Sequence, residues 1–150
     1  MTYSDELREF IKRWEGGPFL RPHWDAIGKV WDIGFGHVIR DDEERRDITR
    51  EEAEMLLDWD VHFFDDGVNA AVTYPIAQCQ HDAMVSLSYN VGLRNFEGST
   101  LLRYVNVGDF EKAAEEFMVW TKAKGKTIPG LVNRRTAERE MFEHGTYSGA

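Results

Sequence analysis

Residues 15 to 37 hold five glycines and two prolines, and among them three carboxylates (Glu15, Asp25, Asp32), two histidines and two tryptophans. Glycine's conformational freedom and proline's missing N–H exclude a long helix here. Val30, Ile33 and Phe35, set among Gly28, Gly34 and Gly36, predict short strands and tight turns over about residues 17 to 39. A small, turn-rich sheet can hold side chains from several strands over one cleft. Glu15 closes the helical pattern that precedes Gly16-Gly17, so one acid falls on a helix end and the other two on the sheet beyond it.

Around this stretch the chain reads as helices. Leu7, Phe10, Ile11 and Trp14 recur at i, i+3, i+4, i+7, an amphipathic helix with Ser4 as N-cap. The run Asp41 to Asp47 is a solvated charged loop. Thr49 and Glu52 form a capping box that opens the longest helix, which runs to about Val72, with Gly67 as a candidate bend. Tyr74-Pro75 ends it. Gln78 to Val91 follows, with Ala83, Met84, Leu87 and Val91 as its apolar face and Gly92 as its stop. Ser99 caps a short helix that ends at Gly108, and the next helix is predicted over Phe110 to Trp120. Lys122 to Lys126 reads as a basic flexible loop, Pro129 to Phe142 as the last helix, and Gly145 to Ala150 as a frayed tail. The predicted fold class is α+β.

At 150 residues the chain is expected to be one domain, long enough to bury a core without staples. The single Cys79 allows no internal disulfide and suits a reducing compartment. No apolar run is long enough to cross a membrane. Met1 to Glu6 has neither the basic start nor the apolar core of a signal peptide. Residues 1–75 hold 9 Lys/Arg against 18 Asp/Glu, whereas residues 76–150 hold 9 of each, so the whole net charge of −9 lies in the half that carries the candidate cleft. This argues against nucleic acid as a partner, since its binders carry a basic patch. The acidic half also predicts a weak, salt-sensitive approach to an anionic surface. His23 and Asp25, without Cys or further His at ligand spacing, make a poor metal site.

Paired carboxylates across a cleft are the chemistry of glycosidic bond cleavage: one donates a proton to the leaving oxygen while the other stays ionised as base or nucleophile. Three blocks of this chain resemble the phage-type lysozymes, the muramidases of glycoside hydrolase family 24. The first is Glu15-Gly16, Asp25 and Ile33-Gly34-Phe35-Gly36-His37. The second runs from Asp82 to Gly92 and on to Ser99-Thr100-Leu101-Leu102. The third is Pro129 to Arg139. They occur in family order and cover nearly the whole chain. There are two departures: the intervals Glu15–Asp25 and Asp25–Asp32 are each one residue longer than the family pattern, and Asp32 stands where the family has threonine.

The resemblance implies a lysozyme-like fold, with a small β-sheet N-terminal lobe (about 15–48) joined by a long helix (about 49–73) to a helical C-terminal lobe (about 76–150). Helix 4–14 is expected to pack with the latter. It implies an endolysin that hydrolyses the β-1,4 bond between N-acetylmuramic acid and N-acetylglucosamine in peptidoglycan. Glu15 would be the proton donor, and Asp25 or Asp32 the base or nucleophile. Arg134 would orient Glu15, with Arg135 as fallback, and His37 would be a buried structural residue. Asn90, Ser99 and Trp31 would hold the glycan strand. No metal or cofactor is implied. The chain would act as a monomer, without membrane insertion, accumulating in the host cytoplasm until a holin lets it reach the periplasm. Two rivals are a peptidoglycan-binding module altered in catalysis and a virion-associated lysozyme used at entry.

Overall fold

The computed structural model describes residues 1–149. Helix α1 (Asp5–Glu15) starts where the Ser4 hydroxyl accepts the Leu7 N–H, and stops at Gly16, whose φ of 79° is left-handed. Its buried stripe of Leu7, Phe10 and Ile11 enters the core. The sheet follows, antiparallel and in chain order: β1 (Phe19–Asp25), β2 (Val30–Gly34) and β3 (His37–Ile39). Its register pairs His23 with Asp32, Trp24 with Trp31 and Asp25 with Val30, then Asp32 with Val38 and Ile33 with His37. Side chains alternate across a pleated sheet and paired residues share a face. One face therefore carries His23, Asp25, Val30, Asp32 and Val38, and the other Trp24, Trp31, Ile33, His37 and Ile39.

That second face packs towards α2 (Arg50–Ala71), with Ile33, His37 and Ile39 lining a cavity of about 440 Å³ together with Met55, Leu56 and Trp59. The capping box of Thr49 and Glu52 is present with both of its hydrogen bonds. Gly67 serves close approach: a Cβ there would stand 2.5 Å from the Leu93 side chain on α4 (Leu93–Glu97).

Helix α3 (Gln78–Val91) is the axis of the molecule. Every residue from His81 to Ser88 is buried, so the helix is enclosed on all sides rather than on one apolar face. Its polar residues are satisfied within the protein. His81 meets Asp65 at 2.6 Å, Ser88 donates to the Met84 carbonyl at 2.8 Å, and Asp82 accepts the Ser4 hydroxyl at 2.6 Å. Around it lie α5 (Thr100–Asn106), α6 (Phe110–Glu116) and α7 (Pro129–His144). Phe117 and Phe142 meet with ring centroids 5.4 Å apart.

Three expectations are corrected. The helix predicted to reach Trp120 ends at Glu116 and tightens into a 3₁₀ turn over Phe117–Val119, where the Trp120 N–H bonds the Phe117 carbonyl. The stretch read as a loop is a hairpin, β4 (Lys122–Ala123) with β5 (Lys126–Thr127), turning through Lys124 at φ 50° and Gly125 at φ 77°. Two successive positive φ values are those of the turn that matches strand twist. The tail is anchored: Tyr147 donates to Asp82 at 2.6 Å, and its carbonyl accepts from Arg13 at 2.8 Å. Ala150 lies outside the described residues.

Candidate active site

Glu15 is the last residue of α1, and its side chain is 18% exposed. Arg134 of α7, only 6% exposed, donates through Nη1 to Glu15 Oε2 at 2.5 Å. The other oxygen, Oε1, lies against Gly36, where a Cβ would come within 2.6 Å of it. Gly36 also has a φ of 87°, so it provides both the turn between β2 and β3 and the space for Glu15. That turn is held from below by Tyr89 of α3, whose hydroxyl donates to the Phe35 carbonyl at 2.6 Å. Burial, and then the negative charge of Glu15, push the Tyr89 phenol well above its ordinary pKa, so it remains a hydrogen-bond donor.

Asp25 ends β1. Its Oδ1 accepts the Ile27 N–H at 3.0 Å, which fixes the carboxylate at the tip of the β1–β2 hairpin. From there it lines a cavity of about 630 Å³ whose opposite wall includes Asn90, Trp120, Leu131 and Arg135. Asn90 is exposed into this space while its Oδ1 accepts from Arg135 Nη2 at 2.8 Å. Asp32 shares the sheet face of Asp25, set back along β2, with His23 Nδ1 3.3 Å from its Oδ1.

The remaining sequence candidates fall elsewhere. His37 is buried between Asp60 (2.7 Å from Nδ1) and Glu43 (2.8 Å from Nε2), and ties β3 to α2 and to the charged loop. Burial pulls its pKa down, but the two carboxylates outweigh that and leave it raised. Ser99 is buried as the N-cap of α5: its hydroxyl donates to the Phe96 carbonyl at 2.6 Å and accepts the Leu102 N–H at 3.1 Å, so its proton is committed to the cap. Trp31 lies on the sheet face away from Asp25 and Asp32, with the Arg45 guanidinium 4.2 Å above its ring and Trp24 beside it. Neither residue lines the cavity between Asp25 and Asn90. Arg134, not the fallback Arg135, meets Glu15; Arg135 is fully buried and meets Asn90. Among the described residues His62, Asp65 and Asp66 could approach a metal together, but Asp65 is already bonded to His81 at 2.6 Å.

The sequence reading missed the buried Glu138, which lies within reach of both arginines. The spacing Arg134-Arg135-x-x-Glu138 was the available signal, since residues three and four apart share a helix face.

A helix-end glutamate clasped by a buried arginine and set against the β2–β3 turn, with two aspartates on one face of the same sheet, fits the α+β proteins of lysozyme type. The family model described as Phage lysozyme matches residues 12–138, and the chain belongs to that family. It is 47% identical over 145 residues to the endolysin of Bacillus phage B103, an alignment covering 97% of this chain and 55% of that protein. The chain thus spans about half the length of this relative. It is 38% identical over 127 residues to the SAR-endolysin of Enterobacteria phage P21, covering 85% of this chain and 76% of that one. Among solved structures, the endolysin from Escherichia coli O157:H7 phage FAHEc1 superposes with a TM-score of 0.86 at 34% identity, over 99% of this chain and 98% of the other.

Proposed function

We propose that this chain is an endolysin that hydrolyses the β-1,4 bond between N-acetylmuramic acid and N-acetylglucosamine in peptidoglycan. The observation that carries the reading is the asymmetry of Glu15. Arg134 occupies Oε2, and Oε1 lies beside Gly36, so Oε1 is the oxygen left to deliver a proton in the reaction. In the reaction Glu15 gives that proton to the bridging oxygen, the bond from the sugar's anomeric carbon to that oxygen breaks, and the departing sugar leaves as an alcohol. The oxocarbenium-like centre faces the carboxylates of the sheet. Asp25, at the edge of the cavity, takes the proton of the attacking water, and Asp32 reinforces the negative field from the same sheet face. Asn90 holds the glycan strand from the opposite wall, its Oδ1 fixed by Arg135 so that its amide N–H groups face the sugar.

Turbidity loss of chloroform-permeabilised Gram-negative cells tests this. Wild type clears the suspension. Glu15→Gln and Asp25→Asn each slow clearing by roughly 10²- to 10⁴-fold, the usual worth of a positioned acid or base. Asp32→Asn slows it less. Protein that sediments with the wall without clearing the suspension would make the chain a binding module instead.

In the same reading the protein acts as a monomer on the glycan strand during host lysis. It waits in the host cytoplasm and reaches the wall through a holin. No helix among the described residues is long and apolar enough to cross a membrane. Expression with and without a holin, followed by fractionation, checks the route. Lysis that begins without a holin would assign the route to export.

A further inference from the structure

Two charged side chains beside the site are fully buried, Arg135 and Glu138, and the second has no part in the proposed reaction. Glu138, on α7, is 0% exposed, and its Oε2 accepts the Ser86 hydroxyl at 2.5 Å and Arg135 Nη2 at 3.3 Å. Its Oε1 lies 2.7 Å from Arg135 Nε, an ionic contact rather than a directed hydrogen bond, and Oε2 is 3.6 Å from Arg134 Nε. Each arginine has its other end at the candidate site, Arg134 on Glu15 and Arg135 on Asn90. The contacts Glu15–Arg134–Glu138–Arg135–Asn90 therefore connect the proton donor to the glycan-binding wall, the Arg134–Glu138 link being an ionic contact of 3.6 Å. Glu138 is the carboxylate that both guanidiniums share. Burying the two neighbouring cations is tolerable only because Glu138 lies between them.

We propose that Glu138 is a positioning residue that couples the two halves of the site, setting Arg134 against Glu15 and Arg135 against Asn90. This rests on the reading of Glu15 as proton donor and Asn90 as glycan contact. Glu138 touches no substrate. Its effect passes through the guanidiniums, whose planar forks transmit a fixed orientation from one end to the other. Losing it frees both forks at once, so kcat and KM change together. A change at Arg134 alone acts on kcat, and Asn90→Ala alone acts on KM.

The test is steady-state hydrolysis of soluble peptidoglycan fragments by Glu138→Gln and by the milder Ser86→Ala, with rates normalised to natively folded protein. Arginine Nε–H NMR spectra of the same proteins are recorded alongside. In Glu138→Gln, kcat is expected to fall roughly 10- to 100-fold, the cost of a misplaced catalytic group. KM is expected to rise severalfold, and the Nε–H resonances of both Arg134 and Arg135 to move. Ser86→Ala is expected to show the same pattern at smaller size and carries the test if Glu138→Gln does not fold. Loss of thermal stability with unchanged kcat and KM per folded molecule would reduce Glu138 to a structural residue and overturn the proposal. A fall in kcat with unchanged KM and an unmoved Arg135 resonance would overturn the coupling. If wild type cleaves no glycan, the hydrolase reading fails, while the resonances still report whether Glu138 sets both arginines.

Discussion

Gly36 and Ser99 show how far single residues decide this site. At Gly36 an alanine would place a Cβ 2.6 Å from Glu15 Oε1 and force a side chain onto a φ of 87°. Gly36→Ala is expected to cost about 1–2 kcal/mol of stability from the backbone alone, read by urea denaturation. In the proposed reaction it should also lower kcat by at least about 10-fold, because it displaces an oxygen of the proposed proton donor. Ser99 makes the opposite case. Its hydroxyl is consumed by the α5 cap, so Ser99→Ala is expected to cost about 1 kcal/mol in the same assay and to leave KM for peptidoglycan fragments unchanged. A raised KM would return Ser99 to the glycan-binding wall.

At the scale of elements, His37 is the clamp between sheet and helix. It meets Asp60 on α2 and Glu43 in the charged loop, where Glu43 is also held by the Arg40 N–H. Its folded pKa lies above the ordinary 6.5. The stability it contributes is therefore fully present below about pH 6.5 and is lost as pH rises through the raised folded value. Burial raises the Glu43 carboxyl, but its bond to His37 and the Arg40 backbone bond outweigh this and leave it lowered from 4.5. Its share is present above that pH and lost as pH falls through the lowered value. Denaturation of wild type and His37→Gln across pH 4 to 9 is expected to show their largest difference between about pH 5 and 6.5, narrowing on both sides. A difference that does not vary with pH would mean the contact is not ionic. The elements that sequence alone misread also belong to this scale. A Lys-Gly pair lacks the asparagine that usually announces a two-residue hairpin, so β4 and β5 read as loop. Helical periodicity continues through Phe117 although the backbone has already tightened.

For the whole molecule, the decisive property is the uneven charge. The net −9 resides in residues 1–75, the half that carries the sheet and its aspartates. In the proposed reading an anionic cell wall repels that half, and salt screens the repulsion over a Debye length of about 10 Å at 0.1 M. Clearing of whole cell walls is therefore expected to speed up as salt rises from about 10 mM to about 100 mM, while hydrolysis of short soluble peptidoglycan fragments, which carry few charges, changes much less. Clearing that slows with salt would mean attraction governs the approach.

The amino-acid sequence by itself determined the element boundaries marked by local chemistry: the Ser4 cap, the Thr49–Glu52 capping box, the glycine stops and the turn-rich sheet that begins after Glu15. Each depends on neighbours within about four residues, so each is written in the order of the chain. Glu15, Asp25, Asn90 and Arg134 were nominated by the resemblance of their motifs to the phage-type lysozymes. Only the tertiary structure decided what faces what. Period-two alternation separates Trp31 from Asp32 by a single residue and puts them on opposite faces, but which face opens to the cleft depends on α2 covering the other. The choice of Arg134 over Arg135, and the place of Glu138 between them, follow from how α7 lies against α1 and α3, because a buried charge is tolerated only where distant elements bring it a partner.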